Sequence, residues 1–235
     1  MLKEIGQSAA YRVLQPLVSA LIRLHVTPNT ITTIGLSLNI LGAVFFIIGA
    51  EFGVRGDLSY VGWGGFIILF AGLFDMLDGQ VARQGKMASR FGALYDSVLD
   101  RYSELIMFLG ICYYLVSHHY FMSSIFAFLA LTGSMMVSYT RARAEGLGIQ
   151  CSVGLMQRPE RIVIIGTTAL LCGIISIFIG GDYKLNVSFL PFHIFETITI
   201  FTFPVLIVAV LANYTAIDRL IHCRRELMKM ENKQS

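Results

Sequence analysis

The stretch Asp75–Asp100, DMLDGQVARQGKMASRFGALYDSVLD, decides how the rest of the chain is read. Asp75 and Asp78 stand three apart, and Asp96 and Asp100 four apart. On a helix, either spacing puts both carboxylates on one face. Gly79 and Ala82 lie on or beside the first of these faces, where small side chains let a bulky group approach the backbone. The surrounding sequence is strongly apolar. Four acids at the edge of membrane-length helices repel one another and resist desolvation, so they need a partner and mark a functional site. No His or Cys stands among them. The fitting partner is a hard divalent cation that prefers oxygen ligands, Mg²⁺ or Mn²⁺.

Working outward, the 235-residue chain is 55 % hydrophobic and 14 % charged, with a mean hydropathy of +0.69. That is too apolar for a soluble domain, and the size allows one membrane bundle without a separate soluble domain. The expected fold is all-α, with six transmembrane helices near 29–50, 60–82, 92–116, 121–142, 160–180 and 193–218. Each reaches the roughly 20 residues needed to cross a bilayer. The aspartate stretch then begins near the end of the second span and finishes in the first turns of the third. Residues 1–24 carry Ala10, Val13, Leu14, Leu17, Val18, Leu21 and Ile22 at helical spacing among polar residues. They read as an interfacial amphipathic helix. Cys112, Cys151, Cys172 and Cys223 show no metal-ligand spacing and read as reduced thiols. His118 and His119 fall in a short outer loop and read as solvated, and Asn186-Val187-Ser188 fits a glycosylation sequon.

With the N-terminus inside, sixteen Lys and Arg fall on the cytoplasmic side and two, Arg55 and Lys184, on the other. This bias places both termini and the aspartates in the cytoplasm. The segment 219–235 is a basic tail suited to anionic lipid headgroups. Nothing points to a nucleic-acid partner.

The pattern D-x2-D-G-x2-A-R-x8-G-x3-D-x3-D, running through Asp75, Asp78, Gly79, Ala82, Arg83, Gly92, Asp96 and Asp100, resembles the signature of the CDP-alcohol phosphotransferases. These integral membrane enzymes transfer a phosphatidyl-type group from a CDP-linked lipid to an alcohol. The resemblance implies a homodimer with a cavity open to the cytoplasm. It implies two metal ions held by Asp75, Asp78, Asp96 and Asp100. Asp100, farthest along the third span and nearest the acceptor side, is the expected general base. Gly79 and Ala82 would leave room for cytidine, with Gly92 in the same signature and Arg83 as a charge partner. Thr27 and Pro28 suit a helix start. Asn29 beside them is either part of that start or a nucleotide contact.

A second cluster is basic. Arg141 and Arg143 end the fourth span, Arg158 and Arg161 open the fifth, and Arg219 ends the sixth. For Arg143 and Arg158, helix dipole and lipid phosphates account for the charge as well as a site role does. Arg161 stands at a helix N-terminus, where the dipole disfavours a cation, so an anionic partner is expected. The segment Ser138–Arg161, SYTRARAEGLGIQCSVGLMQRPER, together with Leu99-Asp100-Arg101, resembles the phosphatidylinositol phosphate synthase branch of the family. That likeness runs from Thr27 to Arg219. It implies that Arg141, Arg161 and Arg219 hold the phosphate of inositol phosphate, converging without matching acids beside them. Two positions depart from the branch. Arg141 replaces a common Lys, exchanging a point donor for a planar fork, and Gln157 stands where an acid is common.

The reaction implied is attack by an acceptor hydroxyl on CDP-diacylglycerol with release of CMP. Free inositol, glycerol phosphate or serine are the alternative acceptors. A cation transporter would place its acids nearer mid-membrane, and a non-catalytic scaffold would leave their spacing without a purpose.

Overall fold

In the computed structural model, residues 14–185 and 195–234 are described. The first thirteen residues of the expected amphipathic helix and the Asn186–Ser188 sequon lie outside them. Seven helices carry the described chain: α1 (14–23), α2 (Pro28–Phe52), α3 (Ser59–Gln84), α4 (Arg90–Ser117), α5 (Phe121–Glu145), α6 (Arg158–Ile179) and α7 (Thr199–Gln234). A two-residue antiparallel pair, β1 (Lys184–Leu185) with β2 (Phe195–Glu196), precedes α7.

Five helices, α2, α3, α5, α6 and α7, are long and apolar enough to cross a membrane, so the protein is an integral membrane protein. The third expected span, α4, has the length at 28 residues. Asp96, Asp100, Arg101 and Glu104 crowd its first half, however, so composition alone does not mark it. The last span also differs from expectation. Phe195 and Glu196 belong to the β pair, and α7 then runs unbroken for 36 residues. The basic tail is therefore its C-terminal continuation.

The helix starts nearest the acids are set locally. Thr27 caps α2 by accepting from the Thr30 N–H at 3.3 Å, with Pro28 at the first helical position. Ser89 caps α4 by accepting from the Gly92 N–H at 2.9 Å. Packing runs α2 against α3 and α4, α3 against α6, and α5 against α7. Small residues let backbones touch. A Cβ on Gly62 of α3 would lie 2.9 Å from the Gly173 Cα of α6, the close approach common between membrane helices. Phe46, Ile68, Phe108, Ile111, Phe201 and Val205 fill the centre of the bundle. At the aspartate end, α1 docks through buried Val18 onto Ile31, Leu77 and Val81. The Gln15 and Gln84 amides exchange hydrogen bonds there at 2.9 and 3.0 Å.

At the opposite end His118 corrects its sequence reading. It is buried, its Nε2 lies 3.0 Å from the Gly49 carbonyl oxygen, and its ring meets Tyr114 edge-on. His119 is exposed. The Arg55 guanidinium covers the Tyr120 ring, and Glu196 accepts from the Tyr120 hydroxyl at 3.1 Å. All four cysteines are free thiols.

Candidate functional site

The helical spacing of Asp75 and Asp78 on α3 turns both toward α4, whose first turns carry Asp96 and Asp100. One oxygen each from Asp75, Asp78 and Asp96 lies within 4.8 Å of the others. Asp78 is the most deeply buried of the three and accepts from the Thr32 hydroxyl of α2 at 2.8 Å. Asp96 Oδ1 is buried and accepts no hydrogen bond from the described residues. Three converging carboxylates with an orphaned buried oxygen are a donor set that fits a hard divalent cation. Asp100 stands outside this triplet. It faces Arg158, whose Nη1 lies 2.8 Å from Asp100 Oδ1 and 2.6 Å from Asp75 Oδ1. Arg158 thus turns inward and neutralises two of the four acids, a role that helix-dipole reasoning did not assign to it.

Beside the acids lies a cleft of about 230 Å³ between α2, α3 and the start of α4. Asn29, Asp78, Gly79, Ala82, Arg83, Gly92 and Asp96 all line it. Asp75 instead lines a narrow crevice on the other side with Thr32, Asp100, Ser103 and Arg158. The two glycines matter through space. A Cβ at Gly92 would come within 3.3 Å of Asn29 Oδ1, and one at Gly79 within 3.3 Å of the Arg83 guanidinium. Asn29 and Arg83 therefore flank the cleft where it is backed only by backbone.

The three expected phosphate-binding arginines share one region, since Arg141 and Arg161 lie close enough for their charges to act on Arg219. They do not stand without acids, as expected from sequence. Arg141 Nε lies 2.8 Å from Glu145 Oε1. The four-residue separation puts that acid on the same helix face rather than another direction. Arg161 is wholly buried and pairs with Glu104 of α4 at 2.7 Å, so its anionic partner belongs to the protein. Arg219 is buried and donates to the Val153 and Val137 carbonyls at 2.8 and 2.7 Å. Thr32 and Glu104 were missed, and the role of Arg158 was left open, because their partners come from helices distant in sequence. The signal available for Glu104 was its position four residues after Asp100, on the same face.

A sequence model of the CDP-alcohol phosphatidyltransferase family matches residues 25–211. A phosphatidylinositol phosphate synthase of Streptomyces avermitilis is 32 % identical over 228 residues, spanning 96 % of this chain and 84 % of that protein. The crystal structure of Mycobacterium tuberculosis phosphatidylinositol phosphate synthase with CDP-DAG bound matches with a TM-score of 0.68 at 28 % identity, over 90 % of this chain and 94 % of that one. The same enzyme in complex with manganese and citrate matches with a TM-score of 0.69 at 28 % identity, over 88 % of this chain and 87 % of that one.

Proposed function

Because the chain belongs to the CDP-alcohol phosphatidyltransferase family, we propose that it transfers the phosphatidyl group of CDP-diacylglycerol to a hydroxyl of inositol phosphate and releases CMP. The observation that carries this reading is the meeting of Asp75, Asp78 and Asp96 at the edge of the cleft lined by Asn29, Gly79 and Gly92. The acceptor follows from the inositol phosphate chemistry named for its relatives and from the grouping of Arg141, Arg161 and Arg219.

Gly79, Ala82 and Gly92 leave space for the cytidine, flanked by Asn29 and Arg83. Asp75, Asp78, Asp96 and Asp100 would hold two divalent ions, Mg²⁺ or Mn²⁺, which would supply positive charge to offset that of the diphosphate and of the attacking and leaving oxygens. Thr32 fixes the Asp78 carboxylate, and Arg158 keeps Asp75 and Asp100 on one side of the site. Asp100 takes the proton of the acceptor hydroxyl as its oxygen attacks the β-phosphorus. The bond from that phosphorus to CMP breaks, and CMP leaves with the electron pair. No covalent enzyme intermediate is needed.

The same reading adds α4 to the five apolar helices as a membrane span, making six. Its 28 residues rise about 42 Å, and Leu105, Leu109, Tyr113 and Val116 face outward beyond the charged turns. The helix α1 (14–23) lies along the membrane surface, the aspartate end faces the cytoplasm, and two copies pair. The charge asymmetry supports the orientation, and family likeness supports the pair.

The deciding experiment gives purified protein CDP-diacylglycerol and, in turn, inositol phosphate, inositol, glycerol phosphate or serine. Metal-dependent CMP release is expected with inositol phosphate. Release with another alcohol and none with inositol phosphate would move the protein to a different branch of the family.

A further inference from the structure

Arg161 is the largest fully buried side chain among the described residues, and its anchor is Glu104. Arg161 Nε and Nη2 both donate to Glu104 Oε1, at 2.9 and 2.7 Å, and Nη1 donates to the Met156 carbonyl at 3.1 Å. The carboxylate grips the guanidinium side-on through a single oxygen. Its other oxygen, Oε2, is buried and accepts nothing from the described residues. The far edge of the guanidinium, between Nη1 and Nη2, is thereby turned away from Glu104. That edge is the fork suited to a phosphate.

A buried pair of this kind adds little stability over well-packed apolar side chains, so its use is better sought in what it fixes. Glu104 lies one helical turn beyond Asp100 on α4, and Arg161 one turn beyond Arg158 on α6. Asp100–Arg158 and Glu104–Arg161 therefore form two successive charged rungs between the same two helices. The first rung sits in the aspartate site. The second holds Arg161 within electrostatic range of Arg219, as Arg141 also is. We infer that Glu104 is a positioning residue for the acceptor: it holds the Arg161 charge at a fixed distance and direction from the reacting carboxylates, so that an inositol phosphate drawn by the arginines presents a ring hydroxyl at Asp100. This rests on the acceptor reading given above. Arg161 has no exposed surface in this structure, so what Glu104 fixes is a buried positive charge one turn from the Asp100–Arg158 rung.

The test uses the purified full chain with CDP-diacylglycerol and inositol phosphate. Glu104→Gln keeps the shape and one acceptor oxygen but removes the charge. It is expected to raise the KM for inositol phosphate about ten-fold, the effect of losing one charge-assisted contact, and to leave the KM for CDP-diacylglycerol unchanged. Combined with Arg161→Gln, it is expected to add nothing to the effect of Arg161→Gln alone, since both remove the same held cation. Glu104→Asp restores the charge and is expected to recover part of the acceptor KM. If Glu104→Gln does not fold, Glu104→Asp decides by the same split between the two KM values. An unchanged acceptor KM, an equal rise in both KM values, or full additivity with Arg161→Gln overturns the positioning role. Absence of any turnover of inositol phosphate by the wild-type protein overturns the acceptor reading itself, and that result is distinct from the others.

Discussion

Arg158 Nη1 lies 2.6 Å from Asp75 Oδ1, so a cation from α6 is already seated among the acids expected to hold metal. A fixed positive charge competes electrostatically with a divalent ion for the same carboxylates, while favouring a phosphate that arrives beside them. Arg158→Gln removes one side of that balance. Mn²⁺ is expected to bind the variant several-fold more tightly in calorimetry, and turnover is expected to fall because Asp75 and Asp100 lose the group that orients them. Equal Mn²⁺ affinity in the variant and the wild type would show that Arg158 does not share the metal-binding carboxylates.

The aspartates themselves separate by role. Asp100→Asn is expected to lower turnover by ~10²–10⁴-fold, the usual cost of losing a general base, with CDP-diacylglycerol binding largely kept. Asp75→Asn and Asp96→Asn are expected instead to weaken both Mn²⁺ and CDP-diacylglycerol in binding measurements. Chelation of the metal is expected to stop CMP release in the wild-type protein, with Mg²⁺ or Mn²⁺ restoring it. Wild-type turnover in Asp100→Asn would remove the base assignment.

The frame that carries the site depends on close helix contact. A methyl group at Gly62 would stand 2.9 Å from the Gly173 Cα. Backbone on the far side cannot rotate away as a flexible side chain can. Gly62→Ala is expected to cost about 1–3 kcal/mol, as overpacking generally does, read as a lower unfolding temperature in detergent. Because α6 carries Arg158 and Arg161, activity is expected to fall with it. Unchanged thermal stability would mean that α3 and α6 separate without cost.

The parts of this molecule visible in its sequence are those governed by local rules. The spacing of Asp75 to Asp100 gave the carboxylate faces, since three- and four-residue intervals alone decide that geometry. Apolar length gave the helices, and it overran only where Phe195 and Glu196 pair with Lys184 and Leu185. What stayed hidden depends on which helices meet. Arg158 stayed balanced between a dipole or lipid cation and a site residue because nothing in its own segment reveals Asp75, 83 residues earlier. Glu104 and Arg161 are 57 residues apart, so the acid that answers the buried cation was invisible. His118 looked like a loop residue until Gly49 and Tyr114 closed over it. Arg141 and Glu145 were the exception: their separation of four was in the sequence, and helical spacing pairs them.

Sidedness has its own test. Gln150 lies in the segment between α5 and α6 and His119 between α4 and α5, and both are exposed. The native Cys151 and Cys223 are buried and poor reporters, so new cysteines serve better. Gln150→Cys is expected to react with an impermeant thiol reagent only when the cytoplasmic face is opened, and His119→Cys in intact cells. The reverse pattern would invert the orientation drawn from the sixteen-to-two distribution of Lys and Arg.

Arg219 gives the sharpest reading of acceptor choice. Its Nε and Nη1 are committed to the Val153 and Val137 carbonyls, which lock the side chain in place and leave Nη2 outside both bonds. The Val153 bond also ties α7 to the segment before α6, so the arginine is held from two directions before any ligand arrives. A cation so fixed loses little freedom on binding phosphate, and each charge-assisted bond contributes about 1.5–3 kcal/mol. Arg219→Gln is therefore expected to raise the KM for inositol phosphate roughly ten- to a hundred-fold. The KM for CDP-diacylglycerol should stay near that of the wild type, because the cleft lined by Asn29, Gly79 and Gly92 does not include Arg219. The same variant assayed with free inositol is expected to differ little from wild type, since that acceptor has no phosphate to lose. Should both acceptors suffer equally, the Val137 and Val153 bonds make Arg219 a structural clasp, and acceptor selection must lie elsewhere in the chain.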